Sequence, residues 1–361
     1  MRRAHRERRR SDPQTANAFV LSPSQLSLGF EPLPFDEPPS MLAVVGHGKV
    51  HAVLGSENRL WLRPGSRYYE GHQWGPAVSF ERDGAAFRAL HGYSVPSTPL
   101  NEPPRVYVAL GDASLRPVTP EGIGAPVEFC TAPSSCRTTA NVISVAGPSG
   151  ARDAVWLVRD PDGIAFYIEK SPTRFVRSAL APITGAGHVL ELADDPPGVA
   201  TVIERGGTWS LVRLAADAGT VRDELPLPDG LAYAHFARGE IPYSTDSLDA
   251  LHVLVAGSEG GEAALEIAPG ELSLSWRWRA AVSADASWYG RSDPTWSGNG
   301  RDGCYLSGTE LICRNSKGQR TDHVADVLAA CHVGQHRFAL RKVADGTYSA
   351  QVTAYDGPVF P

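Results

Sequence analysis

No stretch of eighteen apolar residues occurs anywhere in the 361-residue chain, which excludes a membrane-spanning helix. The familiar catalytic motifs are also missing. There is no Walker loop, no His-Glu-x-x-His, no Gly-x-Ser-x-Gly elbow and no complete EF-hand loop, so the chemistries those patterns carry have no foothold. Gly298-Asn299-Gly300-Arg301-Asp302-Gly303 matches a dinucleotide fingerprint by letter only, because no strand precedes it and no helix follows. An apolar core behind the basic start is lacking too: Ala16–Leu21 is short and runs into Ser22-Pro23-Ser24. As written, the chain shows no export signal, which points to the cytoplasm.

Excess positive charge is absent from the body of the chain. The formal net charge is -6, yet Arg2, Arg3, Arg6, Arg8, Arg9 and Arg10 against Glu7 give the first ten residues +5, leaving -11 for the rest. A nucleic-acid surface needs a cationic face to displace counterions, so nucleic acid is not the expected partner. Residues 1–18 read as a solvated, disordered basic tail, with contact to an anionic partner as the other reading.

What is present is turn-forming residues. Gly (36) and Pro (29) make about 18% of the chain against roughly 12% in average usage, with no collagen period, and this implies many short strands. Glu31–Ser40 is a Pro-rich connection, and Phe19–Phe30 before it reads as one strand. From Met41 onward, apolar runs pair around tight turns. Seven such hairpins bend at Gly55-Ser56, Gly111-Asp112, Asp162-Gly163, Gly206-Gly207, Gly260-Gly261, Gly308-Thr309 and Asp345-Gly346. Their mean spacing of about 48 residues is that of a four-stranded blade. The fifth unit shows its outer members as well, with Leu231–Ala237 before the hairpin and Leu272–Trp278 after it, alternating apolar and polar at period 2.

The expected fold is therefore all-β: a single β-propeller over residues 19–361, of about seven four-stranded blades. The strand at Phe19–Phe30 is expected to close the ring by joining the last blade, removing free sheet edges. A pair of β-sandwiches would also alternate, but the even hairpin spacing favours the propeller.

Cysteine is scarce, with five residues. A two-residue turn at Gly308-Thr309 is of type II′ and sets Ser307 opposite Glu310, Leu306 opposite Leu311, and Cys304 opposite Cys313, near enough for a disulfide. Cys130 and Cys136 are spaced to close a second, small loop, and Cys331 is left as a buried thiol. Disulfides belong in oxidising compartments, in conflict with the missing export signal. Either an upstream signal has been lost through a mis-set start, or the thiols are reduced and packed; both readings stay open.

Residues 304–319, with Cys304, Cys313, Asn315 and Gly318-Gln319, resemble one blade of the bacterial propellers built from regulator-of-chromosome-condensation-type repeats. The resemblance implies a seven-bladed propeller with paired cysteines across such a hairpin. It covers one blade and implies no particular activity.

Three sets of residues have the chemistry to hold a metal. Cys331, His332 and His336 with His323 and Asp326 suit zinc by type, but Cys331 and His332 alternate faces on a strand. His47 and His51 share a face about 13 Å apart at roughly 3.3 Å per residue, too far for one ion. Asp160 and Asp162 before Gly163 need only a tight turn to explain them. No metal and no cofactor are expected. The strands expected to line the channel contribute only His91, His188, Glu191 and His235. A binding loop is read instead from Trp288, Tyr289, Arg291, Asp293, Trp296 and Asn299, aromatic and polar residues on a Ser/Gly-rich segment. The expected function is a monomeric, non-enzymatic binding or scaffold module recognising a protein or glycan through its loop face. The alternative is a lactonase- or glycosidase-like hydrolase or lyase with its site at the central channel.

Overall fold

The computed structural model describes residues 31–46, 49–68, 71–95, 103–148, 152–183, 186–195, 198–205, 207–227, 231–237, 250–255, 262–268, 271–275, 286–288, 302–315, 320–333 and 336–355. Between residues 228 and 305 only the backbone of the strands is described. Among the described residues every regular element is a strand.

These strands sort into seven sheets that follow chain order, antiparallel but for one pair at the edge of the third. Their first strands are Met41–Gly46, Phe87–Tyr93, Asn141–Ala146, Ala186–Asp195, Leu231–Ala237, Ala286–Trp288 and Val327–Val333. Successive first strands neighbour one another from Met41–Gly46 through Ala286–Trp288, and Met41–Gly46 lies beside both Phe87–Tyr93 and Val327–Val333. The sheets are therefore blades about a common axis, each with its first strand innermost.

Each expected hairpin forms the second and third strands of a blade. In the first, Lys49–Gly55 pairs with Arg59–Tyr68; in the third, Val155–Asp160 pairs with Gly163–Ser171. The uninterrupted apolar runs follow from burial on both faces. Val155 and Leu157 point into the core shared with the fourth blade, whereas Trp156 and Val158 point into the core shared with the second. Val50, Ala52 and Leu54 likewise face the seventh blade while Val53 faces the second. A strand wedged between two sheets has no polar face, so period 2 survives in direction and disappears from composition.

Among the described residues, one N-terminal strand joins the last blade. Leu33–Pro34 pairs with Thr347–Tyr355, with Leu33 opposite Tyr348, and it lies inside the segment read as a Pro-rich connection. Phe19–Phe30 and the boundary at residue 18 fall outside the described residues. An outermost strand hydrogen-bonds along one side only, so a proline without an N–H is tolerated there. Phe35 N donates to Gly346 O at 2.8 Å, and the Trp61 indole donates to Pro34 O at 3.0 Å.

Two additions were not foreseen. Val78–Glu81 pairs with Arg59–Tyr68 in the first blade. The third blade has six strands, because the hairpin of Glu128–Ala132 and Ser135–Arg137 attaches in parallel to Arg174–Val176 at its outer edge. A Cys130–Cys136 disulfide ties that hairpin together. In the sixth blade Gly308 has φ 58°, and Cys304 faces Cys313 in the register read from the turn. The side chains of that pair lie outside the described residues.

Candidate binding groove between the first two blades

Of the loop read as a binding site, Trp288 ends a strand and Tyr289, Arg291, Asp293, Trp296 and Asn299 lie outside the described residues. The four channel candidates do sit on first strands, but only the His91 side chain is described. Its ring stands edge-on to Trp156 at 6.1 Å, and its Nε2 is buried without a hydrogen-bond partner. Burial pushes its pKa down to about 4, so it is a neutral packing residue at pH 7.

The metal candidates whose side chains are described do not come together. Cys331 is buried in the core between the seventh and first blades, while His323 pairs with Glu310 at 3.1 Å in the sixth. The His332 and His336 side chains lie outside the described residues. Asp160 is satisfied by protein: its carboxylate accepts from Asp162 N at 2.9 Å and from the Tyr167 hydroxyl at 3.2 Å. Arg137 and Arg177 stand 3.6 and 3.9 Å from it.

A buried polar hub joins the second and third blades. Tyr107 of the second blade donates to Glu169 Oε1 at 2.8 Å, and Trp156 Nε1 donates to Oε2 at 2.9 Å. Tyr93 also hydrogen-bonds this carboxylate, and Arg105 Nε lies 4.0 Å away. Burial raises the Glu169 pKa, opposed by these donors and by the Arg105 charge. Trp156 stacks on Phe175 at 4.8 Å and meets Tyr107 edge-on at 4.9 Å, closing the hub to ligands. Its role is to pin two blades together.

The open site is a groove of about 680 Å³ between the first and second blades. The first blade supplies Lys49 and His51 from the start of its second strand, Gly65 and Ser66 from its third, and Gln73 and Trp74 from its fourth. The second blade supplies Pro103 and Pro104 before its second strand, then Thr119, Pro120 and Glu121 where its third strand ends. All lie at the face where chains enter second strands and leave third ones. Loops on a rigid scaffold are where propellers place binding residues.

His51 is 6% exposed, and its Nδ1 is buried with no hydrogen-bond partner. Burial holds its pKa at about 4, Lys49 pushes in the same direction and Glu121 opposes. The imidazole on the groove wall is thus neutral at pH 7. Glu121 sits below the usual carboxylate range, chiefly through a hydrogen bond from Thr119. Among its described lining residues the groove therefore offers one cation, one anion, a neutral imidazole, an amide, hydroxyls and an indole. Sequence reading missed it because its members come from five separated segments.

Trp74 lines the groove and also packs on the core shared with the seventh blade. Gly65 makes room for it: a Cβ there would fall 2.7 Å from Trp74 Cε3 and 2.7 Å from Gln73 O. Gly65→Ala should displace the indole and cost about 1–3 kcal/mol of stability by overpacking. A urea titration checks this, and a midpoint equal to the parent's would show that Trp74 is not held against residue 65.

No family model matches the chain, and no curated protein does. Among solved structures it is similar to the β-propeller domain of Cps50 (Swd1) from Myceliophteria thermophila. The TM-score is 0.53 at 10% identity, covering 90% of this chain and 98% of that one. It is also similar to hydrazine synthase from Kuenenia stuttgartiensis, with a TM-score of 0.57 at 9% identity and the same coverage, 90% and 98%. At such identities the likeness is one of fold, and the fold is a β-propeller.

Proposed function

We propose that this chain is a non-enzymatic β-propeller that binds a glycan without net charge in the groove between its first and second blades. The observation that carries the reading is Trp74 on the wall of a groove whose charged groups balance. An indole face is complementary to the C–H face of a sugar ring. Gln73, Ser66, Glu121 and Lys49 supply both donors and acceptors for hydroxyl groups, and among the described lining residues the Glu121 carboxylate is offset by the Lys49 ammonium. A volume of about 680 Å³ lies within the range of small-molecule sites. The neutral His51 adds a polar edge without repelling either charge.

The reading is tested by titrating a panel of neutral oligosaccharides into the full chain by calorimetry. Trp74→Ala should weaken the best of them by about 2 kcal/mol, close to thirtyfold, as truncated aromatic anchors do. Equal affinity in the variant and the parent, or binding to none of the panel, refutes it.

Kinship with the regulator-of-chromosome-condensation-type propellers belongs to this proposal too. It is supported by residues 304–319 and by the facing of Cys304 and Cys313, across which a second disulfide is proposed.

A further inference from the structure

The third blade has a set of groups that the binding groove does not use. On the hairpin at its outer edge, Cys130 lies directly opposite Cys136, and Glu128 stands two residues before Cys130 on the same strand face. The Glu128 carboxylate and the two sulfurs lie within 4.8 Å of one another. Cys130 is buried, whereas Cys136 and Glu128 are exposed, so the cluster can be reached from solvent.

From this juxtaposition we infer that the hairpin is a redox-gated zinc site, holding either a disulfide or Zn²⁺ but never both. Two thiolates and a carboxylate are ordinary zinc ligands, and a water completes the tetrahedron. Zinc–sulfur bonds of about 2.3 Å at the tetrahedral angle set two sulfurs about 3.8 Å apart. The two Cα atoms are 4.0 Å apart, and once the disulfide is reduced, rotation about each Cα–Cβ bond lets the sulfurs part to that distance without moving the strands.

The exchange balances as follows. A dithiol reductant attacks the exposed Cys136 sulfur as its thiolate, the disulfide bond breaks, and Cys130 leaves as thiolate. The second thiol of the reductant then closes its own disulfide and releases Cys136. The protein has gained two electrons and two protons, and the reductant has lost them. Zn²⁺ binding to the two sulfurs releases both protons, and Glu128 enters as the third ligand. Oxidation reverses the sequence and expels the metal, because a disulfide sulfur is not an anionic ligand.

The test uses the full chain, Cys136→Ser and Glu128→Gln, each reduced, freed of reductant and loaded with Zn²⁺ alone. Zinc is then counted by competition with a chromogenic chelator. Reduced parent protein should hold one zinc per chain more than Cys136→Ser, and oxidising the parent should release that equivalent. Glu128→Gln alters only an exposed side chain and keeps both thiols, and its zinc should be at least about tenfold weaker. Equal zinc in the reduced parent and Cys136→Ser overturns the site. So does retention after oxidation, and an unchanged affinity in Glu128→Gln removes the carboxylate from it.

Discussion

Replacing Trp156 by alanine should cost about 4 kcal/mol of unfolding free energy, the largest loss expected from any single substitution among the described side chains. The indole is fully buried, and truncating a buried Trp costs about 3–5 kcal/mol through lost transfer energy and the cavity left behind. Here the cavity would open beneath Phe175 and Tyr107, both fully buried. The substitution also removes the donor to Glu169 Oε2, and a buried acceptor left unpaired costs a further 1–3 kcal/mol or so. The two terms share one site and do not simply add. Trp156→Phe separates them, since it keeps an aromatic ring and loses the N–H. Guanidinium titration at constant slope should place it between the parent and the alanine variant. An alanine variant within 1 kcal/mol of the parent would mean that the second and third blades are joined by something other than this hub.

The second large effect is on pH. His51 and His91 have folded pKa values of about 4 against an ordinary 6.5. The unfolded chain therefore binds more protons between these values, and stability falls as pH falls. The contribution is complete above about pH 6.5 and is lost on the way down to about pH 4. A difference of about 2.5 units corresponds to about 3 kcal/mol for each histidine, most of it gone by pH 4. Glu169 works in the opposite direction. Its raised pKa favours the folded state below the ordinary carboxylate value, and this contribution disappears as pH rises through the elevated one. From pH 7 to pH 4.5 the two histidines act together, and the denaturation midpoint should drop. His91→Phe keeps a ring against Trp156 and should remove roughly half of that drop. A variant with the parent's full pH dependence would show that His91 is not held neutral by the fold.

Much of the architecture was legible because blade hairpins combine two strong local signals, an apolar run and a glycine able to take positive φ. Gly163, Gly207, Gly308 and Gly346 all do so at their turns. The Gly308 turn even set the Cys304–Cys313 register. The strand at Leu33–Pro34 was hidden by the opposite signal, since proline forbids a central strand and says nothing against an edge. The extra hairpin of the third blade was seen only as a small loop between two cysteines, because its partner strand follows it by some forty residues. The groove was illegible for a different reason. Pro64, Pro104 and Pro120 belong to no motif in the sequence, and only the folded chain turns them into walls around Trp74 and His51. Glu169 gave no signal at all, being one acid near a strand end until Tyr107 and Trp156 arrive from two blades.

Leu33 and Tyr348 pair although more than 300 residues separate them in the chain. During synthesis, the strand that receives Leu33–Pro34 leaves the ribosome only after the six preceding blades. Until then the outward face of the first blade, with Val44, Ala52 and Leu54, has no seventh blade to cover it. Stages of synthesis at which six blades can already be folded thus carry an uncovered apolar flank for the seconds needed to translate the seventh, at about 5–20 residues per second. Chaperone demand should concentrate in that interval, and it should be met at the first and seventh blades rather than at those between them.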